Sequence, residues 1–509
     1  MRPVKSRAGC DAMPDHYDLC VIGCGPGGFA GAMRALDFGK RVCVLENQQI
    51  GGAGVMWGAL ASKTMWELAK DYSIAAKVDR GYRASGLIVN YEDVRNTVLD
   101  AVNEKIYQML SQLETFSARR RQGPGALTLK RGAGAFVSPN RVGVTFADGR
   151  RQELTADNVL IASGSKPRPL AQIDIDQERI VDSDGILNLK AFPQRLMIIG
   201  AGIIGCEYAT IFSSFRQTRV YLVDYMDRVI PYEDADISDF VSSNLRDNGV
   251  RIFHSATLKD IVKGPEQLEV ILDCGDGRSE VLEVDAVLVA VGRRPNLDHL
   301  HLERAGIDTD AQGYLAVDDN CCVREHIYAA GDVTPHPALV NLAEMESRYA
   351  VKHMFGQTRW PINYSNMSTV MFFRPPAAAV GLNEKGCQKR KIPYRVAYYA
   401  NALLSRAIAM RSPSGFVKII VADDRDEMIL GMRAAGPQVS NTIMSVALLM
   451  DQGKGIRDVL KSVHPHPTMS EGIQECLRLL LGKSVYKARA FPHHINIRRW
   501  HPQTGYQPI

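Results

Sequence analysis

Short apolar runs, each closed by a glycine or an acid, punctuate the first half of the chain. Asp18 to Ile22 runs apolar into Gly23, a helix-length segment follows from Gly27 to Phe38, and Arg41 to Leu45 runs apolar into Glu46. Runs of this length bounded by turn residues suit strands buried on both faces, so the unit reads strand–helix–strand. The pattern returns later as strand Leu196 to Ile199, helix Ile203 to Phe215 and strand Arg219 to Val223, closed by Asp224. The chain therefore carries an internal duplication. Tyr91 to Arg121 has few breakers and recurrent apolar positions (Val94, Val98, Val102, Ile106, Met109, Leu110, Leu113), which predicts one long amphipathic helix. Ala135 to Leu160 and Leu268 to Val291 alternate around turns at Asp148-Gly149 and Cys274 to Gly277, and predict β-meanders. Near Tyr364 the character changes. Short strands (Gly415 to Val421, Met428 to Arg433) precede helices (Gln438 to Gln452, Met469 to Leu481), which predicts an α+β domain. The last stretch, Lys483 to Ile509, is basic and rich in His, Pro and aromatics, and matches no pattern.

Length and composition narrow the class. A chain of 509 residues exceeds what one hydrophobic core supports and implies about three or four domains. Hydrophobic residues at 46% and charged residues at 23% exclude disorder and collagen-like repetition. A net charge of +5 over this length is too weak to argue for nucleic acid or an acidic membrane, and neither is expected as a partner. No apolar run approaches the roughly 18 to 20 residues of a spanning helix. Met1 to His16 carries Arg2, Lys5 and Arg7 without an apolar core, so it is not a secretory signal; an organelle-targeting remnant stays open. Ten cysteines do not make a disulfide scaffold and suit a reducing compartment, so a cytoplasmic or organelle-matrix protein is expected.

The two strand–helix units carry the chemistry. Gly23-Cys24-Gly25-Pro26-Gly27-Gly28 is a G-x-G-x-x-G turn between strand and helix, where backbone can approach a pyrophosphate and the helix N-terminus offers free N–H groups. Glu46, about 20 residues on, can accept hydrogen bonds from an adenosine ribose. Gly200-Ala201-Gly202-Ile203-Ile204-Gly205 repeats the turn, and its acid, Asp224, favours NAD over NADP by repelling a 2′-phosphate. Arg228 nearby softens that discrimination. Two dinucleotide sites suggest a flavin facing a nicotinamide. Ile161 to Ser165 and Val289 to Arg293 both end meanders in a glycine turn, and Ala329-Ala330-Gly331-Asp332-Val333 sets a carboxylate at a strand end.

Over Tyr17 to Gly482 these motifs resemble, in order, the flavoprotein disulfide reductases, the family of dihydrolipoamide dehydrogenase, glutathione reductase, mercuric reductase and the soluble pyridine nucleotide transhydrogenase. The resemblance implies an α/β fold with Rossmann-like FAD- and NAD(P)-binding domains, the FAD domain discontinuous, and a C-terminal α+β dimerisation domain. It sets an N-terminal extension at 1–16, the FAD domain at 17–167 and 298–364, the NAD(P) domain at 168–297, the dimerisation domain at 365–482 and a C-terminal extension at 483–509. It implies that Gly23, Gly25, Gly28, Glu46, Gly52, Lys63, Gly164 and Asp332 bind FAD, and that Gly200, Gly202, Gly205, Asp224 and Gly292 bind NAD(H). Lys63 and Glu207 fall on the family's ion pair beside the reactive flavin nitrogen. His466 and Glu471, in His464-Pro465-His466-Pro467-Thr468-Met469-Ser470-Glu471, fall on its acid–base pair. In the family that pair reaches the other subunit's flavin, which implies a homodimer. A bland reading, in which the pair only packs an interface, stays open.

The departure lies at Gly51-Gly52-Ala53-Gly54-Val55-Met56-Trp57-Gly58-Ala59-Leu60-Ala61-Ser62-Lys63, where the family has G-G-x-C-x-x-x-x-C-x-P-S-K. Gly54 and Ala59 stand at the cysteine positions, and Trp57-Gly58 is most similar to the transhydrogenase branch. Disulfide reduction needs one thiolate to attack and another thiol to resolve, so lipoamide, glutathione and mercuric ion are not expected substrates. Cys20, Cys24, Cys206, Cys321, Cys322 and Cys476 read as small hydrophobes. The expected activity is FAD-dependent oxidation of NADH with hydride passed to a non-disulfide small molecule, quinone-like or a second nicotinamide nucleotide. Trp57 either stacks on that acceptor or fills space. The alternative is a flavin-binding structural or regulatory subunit with little turnover, docked in a larger assembly through a basic tail that is equally readable as disordered.

Overall fold

The computed structural model describes residues 15–117, 125–275, 277–356, 358 and 360–508. Most of the expected N-terminal extension, the helix end at Arg121, Asp276 of the second turn, and Cys10 lie outside them.

One compact unit comprises the described residues up to Leu60 with Asp100–Lys166 and Arg293–Ile362. Its centre is the first strand–helix–strand: β1 (Asp15–Ile22), α1 (Pro26–Asp37) and β2 (Val42–Glu46). β1 runs parallel to β2 on one side and to Arg151–Ile161 on the other, with Cys20 opposite Cys43 and Val159. Every residue of β2 is buried, as its unbroken apolar pattern requires. Strand Leu127–Ser138 serves two partners. Its first half pairs with β2 in parallel, and its second half turns antiparallel onto Arg141–Phe146. The expected first meander and the nucleotide-binding strands are thus one seven-stranded sheet, completed by Ile327–Ala329 and Cys322–Arg324. Helix Val340–Met354 lies close against α1, because a Cβ on Gly27 would stand 3.1 Å from Ser347 Oγ and glycine leaves that room.

The second unit comprises Ala61–Leu99, Pro167–Gly292 and Asn363–Ile509. Here α2 (Ala59–Ala75) leads on from the glycine-rich turn, and β3 (Arg195–Ile199), α3 (Ile203–Ser214) and β4 (Arg219–Val223) repeat the first unit's plan. They belong to a five-stranded parallel sheet with Arg251–Phe253, Ala286–Val289 and Ile180–Asp182. The second meander covers Thr257–Lys263, Leu268–Asp273 and Ser279–Val284; Ala286–Val289, buried throughout, joins the parallel sheet instead. Segment Ala61–Leu99 packs in this unit. The Trp66 indole N–H donates to the Phe373 carbonyl (3.1 Å) and the Tyr91 hydroxyl to the Ile186 carbonyl (3.1 Å).

The unit also holds an antiparallel sheet of seven strands, ordered Ser368–Met371, Ala377–Gly381, Ile429–Ala435, Phe416–Ala422, Tyr394–Ala400, Ile495–His501 and Gly505–Pro508. The last two strands correct the expectation of a disordered tail. They form a hairpin that pairs with Tyr394–Ala400. Their basic and aromatic side chains are used internally. Trp500 stacks on Tyr394 at 5.5 Å, and Arg498 and the Tyr506 hydroxyl reach Glu384. Glu384 in turn helps Asp234 and Asp236 neutralise Lys418, which is fully buried. A buried ammonium is tolerated only with such partners. Among the described residues no helix is long and apolar enough to cross a membrane.

Deleting residues 495–509 strips the outer pairing from Tyr394–Ala400. The expected outcome is a lower thermal unfolding midpoint and concentration-dependent aggregation through the bared strand, measured by calorimetry and light scattering.

Candidate active site

β1 ends at Ile22, and the chain turns at Gly23 with φ +102°, where an added Cβ would lie 2.3 Å from the Ala162 carbonyl oxygen. A Cβ on Gly28 would lie 2.0 Å from the Gly23 oxygen, so the turn closes only on glycine. Gly25 caps α1 and supplies no side-chain bond, which leaves the first N–H groups of the helix open. The nearest atom to its missing Cβ is Gly52 Cα at 4.0 Å, and Gly51 N–H donates to the Cys24 carbonyl (2.9 Å). Glu46, at the end of β2, accepts from the backbone N–H of Cys24 (2.7 Å) and of Gln48 (2.7 Å). The carboxylate is thereby fixed beside the turn with lone pairs to spare.

The second unit repeats this arrangement closely. Gly200 has φ +105°, its Cβ would lie 2.4 Å from the Ala290 oxygen, and a Cβ on Gly205 would lie 1.9 Å from the Gly200 oxygen. Gly202 caps α3 without a side-chain bond and has nothing within 4 Å of its missing Cβ. Asp224 accepts from the N–H of Ala201 (2.5 Å) and of Met226 (2.9 Å). Gly292 is in the left-handed region, and its carbonyl accepts from Arg168 N–H (2.9 Å). In both turns the open face, the uncapped N–H groups and the strand-end acid fit a dinucleotide.

The first unit also gathers groups the sequence left scattered. Asp332 accepts from the Ser165 hydroxyl (2.6 Å), directly after Gly164, and Arg293 donates to the Ser165 hydroxyl (2.9 Å) and carbonyl (2.8 Å). Glu346, fully buried, accepts from the Gly331 N–H (2.7 Å) and bonds His336 Nδ1 (2.7 Å), which braces the turn that presents Asp332. Neither Glu346 nor His336 was expected. A glutamate on a polar helix carries no local mark of burial.

In the second unit Lys63 Nζ lies 2.7 Å from Glu207 Oε2, which joins the two residues the sequence paired. Glu207 is buried, and its other oxygen accepts from the Phe372 N–H (2.9 Å). His466 Nδ1 lies 2.8 Å from Glu471 Oε1, and Glu471 also accepts from Thr468 N–H (2.9 Å). His466 is exposed, so the pair faces outward on this subunit. His464 titrates below the ordinary imidazole range because burial penalises its charged form.

Cys20, Cys24, Cys43, Cys206, Cys274, Cys322, Cys387 and Cys476 are free thiols. Cys20, Cys24, Cys206, Cys321 and Cys476 are buried. Burial, with the Glu46 carboxylate adding to it, pushes the Cys24 thiol up to about 12, and burial raises Cys20, Cys206, Cys322 and Cys476 too. Such thiols are poor nucleophiles. Residues 53–57 form one π-helical turn, and a Cβ on Gly54 would stand 2.3 Å from Pro26 Cγ and 3.2 Å from Val340 Cγ2.

Two dinucleotide turns in one chain, followed by an antiparallel α+β region, define a flavin- and nicotinamide-using oxidoreductase. The particular family follows from comparison. Residues 17–347 match the pyridine nucleotide-disulphide oxidoreductase model and residues 367–477 its dimerisation domain. The chain belongs to this family. It is 31% identical over 481 residues to dihydrolipoyl dehydrogenase 3 of Pseudomonas aeruginosa, covering 93% of this chain and all of that one. It is 31% identical over 484 residues to the mitochondrial dihydrolipoyl dehydrogenase of Canis lupus familiaris, covering 93% and 92%. Among solved structures, LpdA from Mycobacterium tuberculosis superposes with a TM-score of 0.82 at 26% identity, covering 92% of this chain and 99% of that one. The HOCl-induced flavoprotein disulfide reductase RclA from Escherichia coli gives 0.79 at 25% identity, over 91% and 100%. The chain is an FAD-dependent pyridine nucleotide oxidoreductase of the dihydrolipoamide dehydrogenase family, with FAD and NAD(H) as cofactors. Its dimerisation domain supports a homodimer.

Gly202→Ala places a methyl group on the open face of the second turn without a clash. The expected outcome is unchanged FAD content with a KM for NADH raised about tenfold, read by steady-state kinetics.

Proposed function

We propose that this protein oxidises NADH and delivers the electron pair to an acceptor other than a disulfide: a quinone-like molecule, or a second nicotinamide nucleotide. FAD, when bound, supplies the two-electron carrier between donor and acceptor. NADH loses a hydride and becomes NAD⁺; a quinone leaves with two electrons and two protons, a nicotinamide nucleotide with a hydride.

The observation that carries the reading is at Gly54. The family pattern calls for a cysteine there and another at Ala59, and the sequence has neither. Pro26 Cγ and Val340 Cγ2 occupy the space a side chain at residue 54 needs. No thiolate is available at this turn to attack a disulfide, and no second thiol to resolve the product.

The remaining residues take the following roles under the proposal. Gly23, Gly25, Gly28, Glu46, Gly52, Gly164 and Asp332 hold FAD, and Gly200, Gly202, Gly205, Asp224 and Gly292 hold NADH. The Lys63 ammonium, paired with Glu207 at 2.7 Å, offsets the negative charge that hydride transfer brings. His466, oriented by Glu471, donates a proton to an acceptor bound at the partner subunit's flavin. The domains divide as 17–167 and 298–364 for FAD and 168–297 for NADH, with 365–482 forming the dimer contact. Retention of the Lys63–Glu207 ion pair favours a working enzyme over a flavin-binding structural subunit.

NADH added anaerobically to the purified yellow protein is expected to bleach the flavin within seconds, and quinones are expected to restore its colour. Flavin that stays oxidised for minutes would sink the proposal. Lipoamide turnover is expected to be absent, also in a Gly54→Cys/Ala59→Cys variant, because Pro26 and Val340 keep the first thiol from its place. Glu207→Ala is expected to slow anaerobic flavin reduction on the order of tenfold, followed by stopped-flow absorbance.

A further inference from the structure

We infer that Phe372 is a positioning residue for the Lys63 ammonium. The inference rests on the proposed role of Lys63 at the flavin and names what holds that lysine in place.

An ion pair alone fixes a distance, not a direction. Lys63 has four rotatable side-chain bonds, and its ammonium can swing about the Glu207 carboxylate while staying bonded to it. Phe372 touches both members of the pair. Its ring lies below Lys63 Nζ, 5.0 Å from nitrogen to centroid, and its backbone N–H donates to Glu207 Oε1 at 2.9 Å. Lys63 Nζ also donates to the Ser62 hydroxyl on its own helix at 3.3 Å, so the ammonium is held by the carboxylate and that hydroxyl on the polar side and by the negative face of the ring on the other. The ring is itself held. Trp66 meets it edge-on at 5.3 Å and 83°, and the Trp66 indole N–H is tied to the Phe373 carbonyl at 3.1 Å. Lys63 and Trp66 sit three residues apart on α2, hence on one face, and the Phe372 ring packs against both. A strand-end aromatic from the start of the antiparallel sheet thus sets where a helix-borne cation points.

The test uses the FAD-loaded homodimer and three measurements: the anaerobic rate of flavin reduction by NADH, the flavin midpoint potential, and acetylation of Lys63 by an amine-reactive reagent, quantified by mass spectrometry. Phe372→Leu keeps the backbone N–H and the apolar bulk and removes only the ring. It is expected to slow flavin reduction about fivefold, to lower the midpoint potential in the same sense as Lys63→Met, and to raise Lys63 acetylation about fivefold. Phe372→Tyr keeps a ring and is expected to restore all three. In a Lys63→Met background, Phe372→Leu is expected to change neither rate nor potential further. Wild-type rate and acetylation in Phe372→Leu, or an undiminished effect in the Lys63→Met background, would overturn the inference. If Lys63→Met itself leaves the potential unchanged, the flavin role of Lys63 fails instead, and acetylation still decides the Phe372 contact. Should Phe372→Leu not load FAD, Trp66→Phe removes the indole N–H that anchors Phe373 together with part of the ring that meets Phe372, and is expected to give a smaller shift of the same sign; no shift would count against the inference.

Discussion

A buried carboxylate is the constraint on which the second unit turns. Glu207 sits on α3, a helix with ten of its twelve residues buried. An ionised carboxylate in such a place is stable only if matched by charge and hydrogen bonds, and removing one partner of a buried pair costs about 3–5 kcal/mol. Its partners come from far along the chain: the Lys63 ammonium from α2 and the Phe372 N–H from the edge of the antiparallel sheet. Satisfying one side chain therefore brings three distant stretches to a point. Trp66 and Tyr91 add hydrogen bonds to the same stretch, and segment Ala61–Leu99 packs in this unit because its polar groups find their partners there.

The two nucleotide turns show how little freedom the local physics leaves. A strand that must turn at once into a helix leaves no room for a Cβ at Gly23 and Gly28, or at Gly200 and Gly205. The buried N–H of the turn needs an acceptor, and the acid at the end of the neighbouring strand provides it, Glu46 to Cys24 and Asp224 to Ala201. The acid locks the turn and keeps lone pairs free, which the proposed ribose contact would use. The same geometry in both units makes a role for either acid in catalysis unnecessary. What distinguishes the units is the helix packing. Glycines 27 and 31 let α1 press on helix Val340–Met354, whereas α3 is enclosed on nearly every face.

Legibility in the sequence followed the range of the interactions. The glycine turns, their acids and the strand–helix–strand units were readable because their residues lie within about 25 positions and impose fixed spacings. The Lys63–Glu207 contact was readable only through family resemblance, since 144 positions separate the two. Phe372, His336 and Glu346 were not readable. Each acts by contact, and a phenylalanine at a strand end or a glutamate on a polar helix looks ordinary in one dimension. The tail was missed for a related reason. Its alternation is broken by the Arg498-Arg499 pair, and what makes it a strand is the open edge of Tyr394–Ala400, together with the buried Glu384 that Arg498 and Tyr506 satisfy.

The turn at 53–57 bears on where electrons go. If two thiols had simply been trimmed from an otherwise ordinary loop, a void would remain at residue 54, and cavities in a close-packed interior are costly. Instead Pro26 and Val340 crowd the place where the first Cβ belongs, and the Gly58 N–H closes onto the Ala53 carbonyl at 2.8 Å. A Cβ on Gly58 would meet that carbonyl at 2.5 Å, so the closed turn also depends on glycine there. The segment is packed for the residues it has. The Cys20, Cys24, Cys206 and Cys476 thiols give no substitute, because burial holds them in the protonated, unreactive form. With no cysteine in the turn, the nearby Cys24 thiol pushed up by burial and the Lys63–Glu207 pair kept, the arrangement is compatible with the proposed passage of electrons from flavin to a bound acceptor.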